Sequence, residues 1–269
     1  MSGYIGVGNT ARKIKGLYVG VNGVARTVQK AYVGDASGKA RLWYQRGKPL
    51  SNYAVGSSVY FKVNSVRTQW LVVQQGNPDT SKYDSSCDGT WLLMKNIYEN
   101  RAWHSSTFNS YASSTIYSYL SNAFLALFES DVRSLVQQAK LPYTSGSGED
   151  GTVKTGVNGI LSKVFLLSGT EVGLTDNYIN TEGAKLSYFL SGTSTAAKAK
   201  RKATLNAKTA SWWLRSPTTY YTMSTGSACD INTSGTLSWY GATSKDGVRP
   251  CLILPKTALT DDNNNVIGG

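Results

Sequence analysis

The chain has 269 residues, 41% of them hydrophobic, and its 28 Lys or Arg against 16 Asp or Glu give a formal net charge of +12. That is long enough for one large domain with an appendage or for two ordinary domains. It contains no apolar run of the length that a membrane-spanning helix needs, and its opening MSGYIGVGNTARK has no apolar stretch of the secretory kind, so we expect a soluble product made in the cytoplasm. Cys87, Cys229 and Cys251 form an odd set without a CxxC pair, which argues against a disulfide framework and against zinc and points to buried free thiols.

The first 48 residues repeat. YIGVGNTARKIK from Tyr4, YVGVNGVARTVQ from Tyr18 and YVGDASGKARLWY from Tyr32 begin 14 residues apart, the third with one additional residue before Ala40-Arg41. Each has a Gly- or Asn-centred turn between alternating Tyr, Val and Ile, the pattern of a β-hairpin. Three such units cannot bury a core alone, so residues 1–48 read as an attachment module. It stacks on itself, on a neighbouring subunit (a homotrimer is one arrangement) or on a larger assembly.

A Gly- and Pro-interrupted hinge, QRGKPLSN, opens the main domain, residues 49–260. VGSSVYFKVNSVRTQWLVVQQ predicts two strands, with Val59, Phe61 and Val63 alternating, and TWLLMKNIY a further one. SSTIYSYLSNAFLALF, residues 113–128, is the one strong helix, with Ile116, Tyr119, Leu120, Ala123, Phe124 and Leu127 on one face and Ser113 or Ser114 as cap. SDVRSLVQQ predicts a second short helix, KVFLLSGTEVG a buried strand, and 174–210 carries too little pattern to assign. SWWLRS and GVRPCLIL predict two buried strands. Trp212 and Trp213 need a large pocket on each sheet face, and Arg215 and Arg249 are suited to tying loop ends with their forked donors. Residues 261–269 read as a flexible tail.

Between those two anchors, residues 218–246 hold Thr, Ser, Tyr, Gly and Ala rather than periodic Leu, Ile and Val. Small polar residues with large amphipathic aromatics are the composition of a binding surface. The candidate ligand-binding residues are Thr218, Thr219, Tyr220, Tyr221, Ser224, Ser227, Asp230, Asn232, Ser234, Thr236, Ser238, Trp239, Tyr240, Thr243, Ser244 and Asp246.

The phrases KVFLLSGTEVG, WWLRSP and GVRPCLILP, in that order, are similar to a widespread bacterial and phage family catalogued as of unknown function and taken to have a C-type lectin-like fold. The similarity covers about residues 52–256. YVGVNGVARTVQKAYVG separately resembles a short module found near the ends of phage tail and baseplate proteins. Together they resemble the variable proteins of diversity-generating retroelements, in which reverse transcription mutates template adenines in codons near the C-terminus. Residues 218–246 fit the resulting alphabet except at Met223, Trp239 and Lys245. The resemblance implies an α+β, C-type lectin-like domain behind a small all-β hairpin module. It implies a receptor-binding adhesin of a phage tail, carried on the virion, which reads a bacterial surface protein or glycan through 218–246 and meets other tail proteins through 1–48. A constant structural tail or baseplate component, or a bacterial lectin-like protein unrelated to phage, are the alternatives.

The residues argue against an enzyme. His104, the one histidine, has no Ser or Cys and orienting acid marked out to join it, and Glu149-Asp150 lie in a Gly/Ser-rich loop. Asp230 and Asp246 are too few carboxylates for calcium, so no cofactor or metal is expected. The cationic segment 198–208 has no interleaved aromatics, which favours a solvated basic segment over nucleic acid.

Overall fold

A computed structural model of the chain describes residues 4–7, 10–14, 16–28, 30–146, 151–219 and 226–267. The N-terminal repeats are three hairpins, each its own two-stranded sheet: β1 (Tyr4–Val7) with β2 (Thr10–Lys13), β3 (Tyr18–Val21) with β4 (Val24–Thr27), and β5 (Lys30–Gly34) with β6 (Ala40–Gln45). Asn22 and Gly23 both have positive φ in the two-residue turn of the second hairpin, the geometry that matches strand twist. In the third, Asp35 accepts the N–H groups of Ser37 and Lys39, closing a wider turn that absorbs the additional residue.

The chain enters the larger domain through Lys48–Pro49, which pairs with Leu259–Thr260, so the domain's entry and exit lie side by side. Tyr53 fastens this junction, its hydroxyl 2.6 Å from both Thr260 Oγ1 and Asn264 Oδ1. Residues 261–267, expected as a tail, turn back as a strand, Val266–Ile267 pairing with Leu259–Thr260.

Two five-stranded sheets dominate. The first contains β7 (Ser58–Val63), β8 (Val66–Gln75), β9 (Thr90–Met94), β11 (Val164–Phe165) and β16 (Cys251–Leu254), in the order β11-β16-β9-β8-β7, all antiparallel. The alternation read in β7 buries Val59, Phe61 and Val63, and all of β9 is buried. Phe61 stacks on Trp70 at 4.6 Å and 15°, with Phe128 edge-on to both; burying each such ring contributes about 1.5–3 kcal/mol. The second sheet contains β10 (Glu99–Ala102), β12 (Trp212–Pro217), β13 (Ser227–Ile231), β14 (Leu237–Gly241) and β15 (Lys245–Val248), in the order β10-β15-β12-β13-β14. Its one parallel contact is between β12 and β15.

Strand accounts for 39% and helix for 14%, so the class is all-β and the expected α+β, C-type lectin-like fold is corrected. The physical reason is the number of paired strands beside only short helical segments. The segment read as a long helix starts as expected, Ser114 accepting the Tyr117 N–H, with α1 over Thr115–Tyr119 widening into a π turn at Leu120–Phe124 and helical geometry ending at residue 126. Ser118, Ser121 and Asn122 are weak helix formers, and Asn122 Nδ2 donates to the Ser118 carbonyl. Ile116, Leu120 and Phe124 are buried while Ala123 is exposed. The other helices are α2 (Ser130–Leu135) and α3 (Thr195–Arg201).

Candidate functional site at one end of the second sheet

The two anchor phrases are held by buried arginines. Arg215, in β12, meets Glu171 through two bonds of 2.6 and 2.7 Å and donates to the carbonyls of Pro142 and Leu166. Glu182 is 4.0 Å from Arg215 Nε and accepts from the Ser216 hydroxyl and the Thr144 N–H. Burial holds the Glu182 carboxyl above its usual range, while burial opposes the Arg215 charge but the Glu171 carboxylate more than offsets it. Arg249 has a different environment: it donates to the carbonyls of Met94 and Lys95 and lies 4.9 Å from the Trp212 ring. Trp212 and Trp213 are both fully buried, their indole N–H groups donating to the carbonyls of Arg201 and Arg101. All three cysteines are buried free thiols, Cys87 pushed up to about 12 by burial, so they are inert.

On this frame the hairpin β13–β14 carries most of the candidate residues, paired Ala228↔Tyr240, Cys229↔Trp239 and Asp230↔Ser238. β14 is the edge strand of the sheet. Trp239 stands edge-to-face with Tyr178 at 5.2 Å, and Tyr240, on the other side of the strand, is 52% exposed. Thr219 is exposed beside them, donating through its N–H to the Tyr178 carbonyl and through Oγ1 to the Asn177 carbonyl. Thr243 and Ser244, also exposed, close the turn after β14. At the same end the 104–109 loop packs so closely on Gly226 that a Cβ there would sit 2.4 Å from the Thr107 carbonyl oxygen. Asn177 also lines a cleft of about 350 Å³ with Thr170, Asp176, Asn180 and Thr181.

The remaining candidates are not on this end or not on the surface. Thr218, Ser227 and Asp230 are buried. Asn232, Ser234 and Thr236 lie at the opposite end of the hairpin, where the Asn232 side chain accepts the Ser234 and Thr236 N–H groups and Arg201 of α3 donates to the Gly235 carbonyl. Ser238 faces Asp230 and Asp246 is half-buried. Tyr220, Tyr221 and Ser224 lie outside the described residues, as do Met223, Glu149 and Asp150. Tyr178, Asn177 and Phe108 belong to the exposed end but fell in segments whose pattern carried no signal; Tyr178 in a Thr/Asn/Asp-rich run was the available cue. His104 Nδ1 accepts the N–H of its own neighbour, Ser105, at 2.8 Å.

Residues 88–256, more than half of the chain, match the profile of a family described as a domain of unknown function, DUF6273. The chain belongs to that family. The comparisons with curated proteins and with solved structures found no match. The DUF6273 region takes in both anchor phrases, the Arg215–Glu171–Glu182 network and the whole exposed end, and it begins after β7 and β8.

Within this region Asp230 and Asp246 come together. Asp230 is wholly buried, and among the described residues no donor reaches either of its carboxylate oxygens in hydrogen-bond geometry; the Asp246 carboxyl and the Ser238 hydroxyl face them. Burial first, then the Asp246 charge, pushes Asp230 up to about 8; burial raises Asp246 to about 6 against the Gly247 N–H, which stabilises its anion. Two carboxyls so placed share a proton over the neutral range. Arg101, opposite Asp246 in register, sends its guanidinium to Glu99 at 3.0 Å and over the Tyr119 ring. Asp230 is sealed from solvent and Asp246 is half-buried, so the pair lies within the sheet that carries the exposed end.

Proposed function

We propose that the protein is a recognition module that binds a bacterial surface protein or glycan through the exposed end formed by Tyr178, Thr219, Trp239, Tyr240, Thr243 and Ser244. One observation carries the reading: aromatics on and beside the edge strand β14 stand near exposed hydroxyls of the flanking turns, while the strands behind them are tied by buried, bonded anchors. Rings with few rotatable bonds offer contact area at low entropy cost, and hydroxyls adapt around them. The resemblance to variable phage tail proteins supports a virion-borne adhesin, with the hairpin module fastening it to the tail.

The test applies the labelled full chain to arrays of bacterial surface polysaccharides and of recombinant cell-surface proteins. Saturable binding is expected, and Trp239→Ala should weaken it at least about tenfold, as loss of a central aromatic contact does. Absence of saturable binding on both arrays, or binding indifferent to Trp239→Ala, overturns the reading. The diversification claim has its own measurement, sequencing the gene across clones of a natural population. Substitutions should fall at exposed positions such as 219, 240, 243 and 244 and spare buried 218, 227 and 230. An invariant 218–246 would favour a constant structural tail component.

A further inference from the structure

The cleft of about 350 Å³ beside the exposed end is lined by one stretch of chain, residues 170–181. Both ends of that stretch are clamped by the arginine network. Glu171 receives the two bonds from Arg215, and Glu182 accepts from the Ser216 hydroxyl and the Thr144 N–H. Between the clamps the backbone is tied at several points. The Leu174 N–H donates to the Gly169 carbonyl, the Ile179 N–H to the Asp176 carbonyl, and Arg201 donates to the Val172 carbonyl. Asp176 Oδ1 accepts the Tyr178 N–H at 2.9 Å, and the carbonyls of Asn177 and Tyr178 both accept from Thr219. Leu174 and Ile179 line the cleft as buried apolar residues. The loop is held in one shape by its own bonds.

The lining offers hydrogen-bonding capacity that the fold leaves unused. Thr175, Asn177 and Thr181 are exposed, and their side chains have no hydrogen-bond partner among the described residues. Asp176 engages one carboxylate oxygen with the Tyr178 N–H and keeps the other. Among the described residues no Lys, Arg or His lines the cleft, so an anionic ligand would meet a carboxylate and no counter-charge. A hydrocarbon ligand would strip water from these polar groups and return no bond. A neutral sugar matches them, because its hydroxyls donate and accept as the Thr hydroxyls and the Asn amide do. The C–H side of such a ring needs a flat apolar partner. Tyr178, next to Asn177 in the chain, is 37% exposed and set edge-to-face against Trp239. The volume is at the low end of small-molecule sites, roughly 300–1,000 Å³, which suits one ring of a glycan rather than a folded protein surface.

We propose that this cleft is a subsite for one neutral sugar unit of a bacterial surface glycan, its hydroxyls bonded by Thr175, Asp176, Asn177 and Thr181 and its ring beside Tyr178. The inference rests on the recognition reading and selects its ligand class, glycan rather than protein. Three properties select the occupant: donors and acceptors mixed at close quarters, a carboxylate without a cation, and an aromatic pair at the rim. Because the loop is clamped at Glu171 and Glu182, binding orders only a few short side chains, which keeps its entropic cost low. Asn177 joins the cleft to the exposed end, since its carbonyl accepts the Thr219 hydroxyl. A single sugar unit held this way binds weakly, so the neighbouring units of the same glycan add their contacts at Tyr178 and Trp239. Polymers that carry a uronate or phosphate on the seated unit are disfavoured by the Asp176 charge.

The test compares the full chain with the double variant Asn177→Ala, Thr181→Val on neutral polysaccharides, on acidic polysaccharides and on cell-surface proteins. Both altered side chains are exposed and unbonded in the protein, so the variant should keep the wild-type circular dichroism spectrum. The wild type should bind neutral polysaccharides, and the double variant should bind them at least about tenfold more weakly, the effect of losing more than one ordinary hydrogen bond. Thr175→Val, which keeps the side-chain shape and removes one hydroxyl, should weaken the same binding about threefold. Neutral-glycan binding indifferent to both variants overturns the proposal, as does binding confined to acidic polysaccharides. Saturable protein binding that Trp239→Ala weakens, with no glycan bound, overturns the subsite and keeps the recognition reading. Glycan binding lost in the double variant but unchanged by Trp239→Ala keeps the subsite and overturns the recognition face as drawn. Absence of binding to all three sinks both.

Discussion

Arg215→Ala is expected to destabilise the protein by about 3–5 kcal/mol, the range for removing one partner of a buried ion pair. Arg215 and Glu171 are both wholly buried, and the arginine also lies 4.0 Å from Glu182. Truncation would leave two carboxylates without their cation in a place water does not reach. Tyr83 would still donate to Glu171 at 2.8 Å and Ser216 to Glu182 at 2.6 Å, which softens the loss without replacing the charge. Arg215→Lys should recover little, because one ammonium cannot reproduce the paired bonds to Glu171 together with those to the Pro142 and Leu166 carbonyls. Replacing Arg215 and Glu171 together by apolar residues should cost less than Arg215→Ala alone, since the uncompensated charge goes with them. Urea unfolding measures all three, with a fall in midpoint temperature of roughly 10 °C for Arg215→Ala as the companion signal. A loss below about 1 kcal/mol would sink the assignment of this network as the main brace behind the exposed end.

What could be read from the sequence follows the physics of each segment. The hairpin repeats were legible because their turns and alternation recur with a fixed period, and the β7–β8 hairpin because Val59, Phe61 and Val63 alternate cleanly. Trp212, Trp213, Arg215 and Arg249 announced themselves as anchors, being bulky or charged residues inside apolar runs. The helix in 113–128 was legible as a buried face, although its periodicity does not say whether each turn is α or π, and α3 went unread in a segment without hydrophobic period. The stretch 174–210 was opaque for another reason. It is held by side-chain bonds to backbone, as when Arg201 donates to the carbonyls of Gly235, Val172, Leu190 and Gly192, and such ties leave no hydrophobic period. The contiguous stretch 218–246 also proved not to be one surface. A hairpin sends its two ends in opposite directions, so Asn232, Ser234 and Thr236 are carried away from Thr219 and Thr243. Tyr178 joins the exposed end from some 40 positions upstream in the sequence, a neighbour that only strand order supplies.

Asp230→Asn is expected to leave stability near pH 4 almost unchanged and to raise it by a few kcal/mol above pH 8. Both Asp230 and Asp246 have folded-state pKa values above the ordinary 3.8, Asp230 because burial and the Asp246 charge oppose its anion, Asp246 because of burial. A group raised in this way stabilises the fold fully below its unfolded value and loses that contribution as pH climbs through its folded value, because the native state then holds a proton that the unfolded chain has released. For this pair the loss runs between about pH 4 and pH 8. Asparagine has the same shape, carries no charge to bury, and offers Asp246 an amide donor where the wild type brings a second acid. The measurement is the difference in unfolding free energy between variant and wild type across that range, which cancels other raised groups such as Glu182. A flat difference would mean that the two carboxyls do not share a proton in the folded protein. A difference that grows with pH would identify the pair as an acid-favoured contact between β13 and β15, so that the strand paired with β14 and the strand that begins at Lys245 are held most firmly in mildly acidic surroundings.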